Sequence, residues 1–84
     1  MENLIKKILP AARIVRAVRN GIIADLKDGA IEQLVSLRYT NGAEKALVRQ
    51  RDRKPEEFAA YDSYCEACKH AVKRRIKEVS GIDV

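Results

Sequence analysis

The longest regular pattern of apolar and polar positions in the chain runs from Pro55 to Val79. Phe58, Tyr61, Cys65, Cys68, Val72, Ile76 and Val79 recur at steps of 3, 4, 3, 4, 4 and 3. At about 100° per residue they form one apolar stripe along a helix. Pro55 suits the first helical position, where its missing N–H costs nothing, and Ser80-Gly81 supplies a stop. Residues 2–19 predict an earlier helix with Leu4, Ile8, Ala11, Ala12, Val15 and Val18 on one face and Lys6, Arg13 and Arg16 on or near the other. Pro10 interrupts it, so this helix either kinks there or begins there. Asn20-Gly21 is its stop.

Residues 22–52 admit two patterns. As helices, Ile23, Leu26, Ala30, Leu34 and Leu37 make a stripe that ends at Asn41-Gly42. Asn41 then caps a further helix, with Glu44 in the capping-box position and Ala43, Ala46, Leu47 and Gln50 on one side. As strands, Lys27-Asp28-Gly29 and Thr40-Asn41-Gly42 are hairpin turns, and Val35, Leu37 and Tyr39 alternate opposite Ala46 and Val48. Composition favours the helices, because Ala, Leu, Glu, Gln, Lys and Arg outnumber the β-branched residues. The expected fold is therefore all-α, a small helical bundle with a long C-terminal amphipathic helix. The alternative is α+β: helix, three-stranded meander, helix.

Length adds a point about assembly. Eighty-four residues make a single domain, 1–84, near the small end of what folds alone. A helix over 55–79 would be roughly 37 Å long, as long as the body of such a domain. Its stripe must be covered by the first helix, or by a second copy in a homodimer formed through the 55–79 helix.

Charge changes the picture more than composition does. The net charge is +5. It is distributed as +4 over residues 1–19, −1 over 20–40, +3 over 41–54, −4 over 55–68 and +3 over 69–84. Acids at the start of the last helix and bases at its end, such as Glu56, Glu57, Arg75 and Lys77, complement the helix dipole. That does not account for Arg49, Arg51, Arg53 and Lys54, nor for Arg13 and Arg16 on the first helix. Arginine's planar fork suits phosphate. The candidate nucleic-acid contacts are therefore Arg49, Arg51, Arg53 and Lys54, with Arg13, Arg16 and the Lys73, Arg74 and Lys77 face. A helix-turn-helix around Asn41-Gly42 would make residues 43–54 the reading helix.

Catalytic and metal chemistry find little support. Cys65-x-x-Cys68 lies on the apolar stripe, where cysteine acts as a small hydrophobe. His70 points about 160° away from Cys68 on a continuous helix, so the three do not converge on one ion. Hydrolase triads, paired carboxylates and phosphate loops are not recognisable, and the four glycines are spread out as turn residues. No enzyme, metal or cofactor is expected. Apolar runs fall short of the roughly 18 residues a membrane span requires, and two cysteines make no disulfide scaffold. A cytoplasmic location without a membrane partner follows as the expectation.

Two functions fit these residues. The first is a small basic binding module, regulatory in role, that contacts nucleic-acid phosphate. The second is a protein-interaction or inhibitor module, for example one encoded by a phage or mobile element, whose basic surface meets an acidic patch on a host protein.

Overall fold

The computed structural model describes residues 2–84 and contains five helices, with no strand among the described residues. They are α1 (Glu2–Ile8), α2 (Ala11–Arg19), α3 (Ile23–Ser36), α4 (Asn41–Arg49) and α5 (Pro55–Ser80). The helical pattern of residues 22–52 is the one adopted, and the meander is not formed. At about 1.5 Å per residue α5 is roughly 39 Å long, and it sets the long dimension of a body 45 × 21 × 20 Å.

Pro10 ends the ambiguity over the first helix by dividing it. It sits at φ −64°, ψ 152° as the residue before α2, extended backbone that its ring favours. The break resets the helical phase. Ile5, Ile8 and Leu9 point inward from α1 and its end, and Ile14 and Ala17 from α2. This corrects the expected face. Of Leu4, Ile8, Ala11, Ala12, Val15 and Val18, only Ile8 is buried; Val15 stays 45% exposed and Val18 38%. The Asn20-Gly21 stop is a complete Schellman turn. Gly21 adopts φ 68°, its N–H donates to the Val18 carbonyl at 3.2 Å, and the Ile22 N–H donates to Ala17 at 3.0 Å.

Helix α3 buries Ala30, Leu34 and Val35, with Ile23 and Leu26 half-buried. It stops at Ser36, five residues before Asn41 of the expected boundary. Leu37 therefore leaves the stripe and is 60% exposed. Gly29 lies inside α3 and Gly42 in the first turn of α4, so neither marks a turn between elements. A Cβ at Gly29 meets nothing within 4 Å. Gly29→Ala is accordingly expected to raise stability by about 0.5–1 kcal/mol, read as a higher urea midpoint at constant slope.

The cap of α4 falls one residue earlier than expected. Thr40 Oγ1 accepts the Ala43 N–H at 3.1 Å, so Glu44 stands one place beyond the capping-box position. The helix also ends early, at Arg49 instead of continuing to residue 54. Lys54 precedes a proline, which disfavours helical backbone there, and it sits at φ −130°, ψ 64°. The α5 C-terminus follows expectation, with Gly81 at φ 75° and its N–H on the Lys77 carbonyl at 2.8 Å.

The core has two parts strung along α5. Cys68, Val72 and Ile76 are fully buried against Ile5, Ile8, Leu9, Ile14, Ala30 and Leu34. The expected stripe is thus covered at this end by α1, α2 and α3 of the same chain. Toward the N-terminal end of α5 the packing is aromatic and less complete. Tyr39, from the α3–α4 turn, meets Tyr61 edge-on at 4.9 Å and Tyr64 at 5.7 Å, and Phe58 lies 6.2 Å from Tyr61. Helix α4 contributes only half-buried Glu44 and Leu47 beside them.

Candidate nucleic-acid interface

Breaking the chain at Pro10 creates an electrostatic demand that two arginines meet. The carbonyls at the end of α1 lose the helical N–H partners a continuous helix would supply. Arg13 Nη1 donates to the Ile8 carbonyl at 2.7 Å, and Arg75 Nε donates to the Leu9 carbonyl at 3.0 Å. The second bond ties the α1–α2 junction to the C-terminal half of α5. Arg13, a sequence-predicted contact, is therefore committed to the fold. So is Arg75, which the dipole argument had explained differently.

Other cations are committed as well. The Arg38 guanidinium lies 5.0 Å from the Tyr64 ring centre and 5.7 Å from that of Tyr39. The Tyr64 hydroxyl donates to the Leu34 carbonyl at 3.0 Å. Lys54 pairs with Glu57 at 3.9 Å, Lys69 with Glu66 at 3.2 Å and Lys77 with Asp83 at 3.0 Å. These exposed ion pairs contribute little to stability, but they lower the charge that their lysines present outward.

Of the nine predicted contacts, six are left uncommitted. Arg16, Arg49, Arg51, Arg53, Lys73 and Arg74 are exposed, and their side chains make no hydrogen bond or ion pair among the described residues. They do not form one patch. Arg49, Arg51 and Arg53 occupy the end of α4 and the connection that follows it. Lys73 and Arg74 sit about 30 Å further along α5, on the half to which Arg75 ties the α1–α2 junction.

The connection carrying the arginine cluster is a built turn, unlike the loose linker its composition resembles. The Gln50 carbonyl accepts both the Arg53 N–H at 2.9 Å and the Lys54 N–H at 2.7 Å, while the Gln50 N–H donates to Ala46 at 3.0 Å. Phe58 N–H then donates to the Lys54 carbonyl at 3.1 Å, leading directly into α5. Three arginines are thereby carried within five residues of hydrogen-bonded backbone, their side chains free.

The remaining chemistry-bearing residues are quiet. Cys65 and Cys68 are unpaired thiols. Burial pushes the Cys68 thiol up from its ordinary value, only partly offset by the neighbouring Tyr64 hydroxyl, which is the opposite of what a nucleophile requires. His70, Lys6, Arg74 and Arg75 line an open groove of about 440 Å³ between α1 and α5, together with Glu2 and Glu78. No group of three or more His, Cys, Asp or Glu side chains among the described residues is arranged to hold a metal ion. No described helix is long and apolar enough to cross a membrane.

The aromatic end of the core has a measurable signature. Burial, with further contributions from Cys65 and Glu44, pushes the Tyr61 hydroxyl up to about 12, and burial raises that of Tyr64. Raised values mean that the folded chain keeps protons which the unfolded chain releases from about pH 10 upward. Stability contributed by these groups is fully present below that pH and is lost as pH rises towards 12. The urea midpoint is expected to fall over this window, and Tyr61→Phe to make the fall shallower. The tyrosinate absorbance of the folded protein should appear later than that of the unfolded chain.

Comparison with known proteins finds no matching family model and no significant match among curated proteins or solved structures.

Proposed function

We propose that this chain is a small basic binding module that contacts nucleic-acid phosphate through Arg49, Arg51 and Arg53. The observation that carries the reading is that these three guanidinium groups are exposed and uncommitted on a hydrogen-bonded turn, while Arg13, Arg38 and Arg75 are used by the fold. A planar fork without an internal partner is available for two parallel hydrogen bonds to a phosphate. Lys54, partly neutralised by Glu57, is an auxiliary contact. Arg16 on α2, and Lys73 and Arg74 on the C-terminal half of α5, are further contacts, with Lys77 diminished by Asp83.

This reading is binding without catalysis, in a regulatory role and a cytoplasmic location. A homodimer through the 55–79 helix would use the Phe58–Cys65 part of the stripe, since Cys68, Val72 and Ile76 are already covered. The test is anisotropy of labelled duplex DNA and single-stranded RNA at low and physiological salt. Binding should weaken steeply with salt, as counterion release requires; absence of binding at both salts would overturn the reading. An acidic protein surface is the second reading, since the same uncommitted guanidinium groups also pair with carboxylates.

A further inference from the structure

Helix α1 lies beside the C-terminal half of α5, and an open groove of about 440 Å³ runs between them. Helix α5 is unbroken from Pro55 to Ser80, so one row of its residues follows the groove. Ala67, Ala71, Arg74 and Glu78 succeed one another at steps of 4, 3 and 4. The two alanines present only a methyl group each. With Ile5 of α1, which is 6% exposed, they give the groove an apolar floor.

Cations reach this floor from both helices. Lys6 comes from α1, and His70, Arg74 and Arg75 come from α5. Arg75 uses Nε on the Leu9 carbonyl at 3.0 Å, which anchors the guanidinium and leaves its two Nη groups. Glu2 and Glu78 also line the groove. Each stands four residues from a cation on its own helix, Glu2 from Lys6 and Glu78 from Arg74, a spacing at which ion pairs form. Neither pair is closed among the described residues, so Lys6 and Arg74 are open to an anion from outside.

Size, floor and charge together select the occupant. The volume lies in the small-molecule range of about 300–1,000 Å³. An inorganic anion would leave the apolar floor in water. A run of nucleic-acid phosphates would meet Glu2 and Glu78 as well as the cations. A compact molecule with an apolar body and one anionic head avoids both faults. Its body covers Ile5 and Ala71, and its head takes the parallel donors of an arginine fork.

We propose that the α1–α5 groove binds a small organic anion, an apolar body carrying one carboxylate or sulfonate, with Lys6 and Arg74 on its head. This goes beyond the nucleic-acid reading, shares only Arg74 with it and does not involve the arginine turn at 49–53.

Two dyes that differ in one group test the site. Anilinonaphthalene sulfonate should bind the folded protein at a single site with enhanced fluorescence. Phenylnaphthylamine, the same rings without the sulfonate, should bind at least about tenfold more weakly. Octanoate should displace the bound sulfonate dye, and octylammonium should not. Ala67→Phe fills the groove from an exposed position, and Lys6→Glu/Arg74→Glu reverses the charge at two exposed positions. Each should weaken the sulfonate dye by about tenfold or more while melting as the unmodified protein does. Arg49→Ala/Arg51→Ala/Arg53→Ala should leave the dye affinity unchanged, which separates this site from the arginine turn. Absence of sulfonate-dye binding, equal binding of both dyes, or displacement by octylammonium as readily as by octanoate would overturn the proposal. So would an affinity that survives both groove variants, or one that is lost in the triple arginine variant. None of these outcomes bears on duplex binding, which is read separately by its salt dependence.

Discussion

Ile76→Ala is expected to unfold a large share of the molecules at room temperature in modest urea. Ile76 is fully buried where α5 meets helices from the first half of the chain, in one cluster with Ile5, Leu9, Ile14 and Leu34. Truncation removes apolar area that folding had withdrawn from water and leaves a cavity that rigid neighbours only partly fill. Comparable core truncations cost about 2–5 kcal/mol. A domain of this length has a total stability of roughly 4–13 kcal/mol, so this one change consumes a large fraction of it. Leu37→Ala is the control, because Leu37 is 60% exposed and has left the stripe; its cost should lie within about 0.5 kcal/mol. Urea unfolding followed by circular dichroism reads both. Similar midpoints for the two variants would mean that the C-terminal half of α5 is not the centre of the core.

The second large effect concerns the arginine that closes the break at Pro10. Arg75→Met keeps much of the aliphatic stem but removes the donor that reaches the Leu9 carbonyl at 3.0 Å. Leu9 is itself fully buried, so the oxygen has poor access to replacement water. A hydrogen bond from a charged donor contributes about 1.5–3 kcal/mol, and the variant should lose stability of that order. Arg74→Met, one residue earlier and without such a bond, should be close to neutral. Equal losses in the two variants would show that the stem, rather than the donor, carries the effect of Arg75.

The long helix was legible because three independent signals agreed on it: the stripe spacing, Pro55 at the start and Ser80-Gly81 at the end. The first helix was legible only as helical material. Pro10 flagged the fault, but periodicity continued across it names the wrong face, because a break shifts the phase and sequence spacing alone does not give the shift. Leu37 failed for a related reason, since the true end of α3 at Ser36 carries no glycine or proline mark. Tyr39 did not reveal its role at all. Its partners Tyr61 and Tyr64 are more than twenty residues away, and only tertiary packing brings them together.

The candidate site was legible as charge and illegible as availability. In the sequence the nine candidate contacts are ranked only by clustering, with Arg49, Arg51, Arg53 and Lys54 first. Which of them the fold uses depends on where Pro10 leaves carbonyls unpaired, and on Glu57 and Asp83 lying within reach of Lys54 and Lys77. The i, i+3 spacing of Lys54 and Glu57 was readable on helical geometry. The Arg75 bond to Leu9, across 66 residues of chain, was not. The cluster that remains, Arg49, Arg51 and Arg53, is also the one whose supposed reading helix ends early, so phosphate contact is argued for it and base readout is not.

The most direct test of that assignment is the salt dependence of duplex DNA binding by the unmodified protein and by Arg49→Ala/Arg51→Ala/Arg53→Ala. Each phosphate contact contributes about 0.9 to the slope of log K against log salt. The triple variant should remain folded, with an unchanged urea midpoint, and its slope should be shallower by about 2.7. An unchanged slope in a folded triple variant would contradict the account and remove the turn from the site.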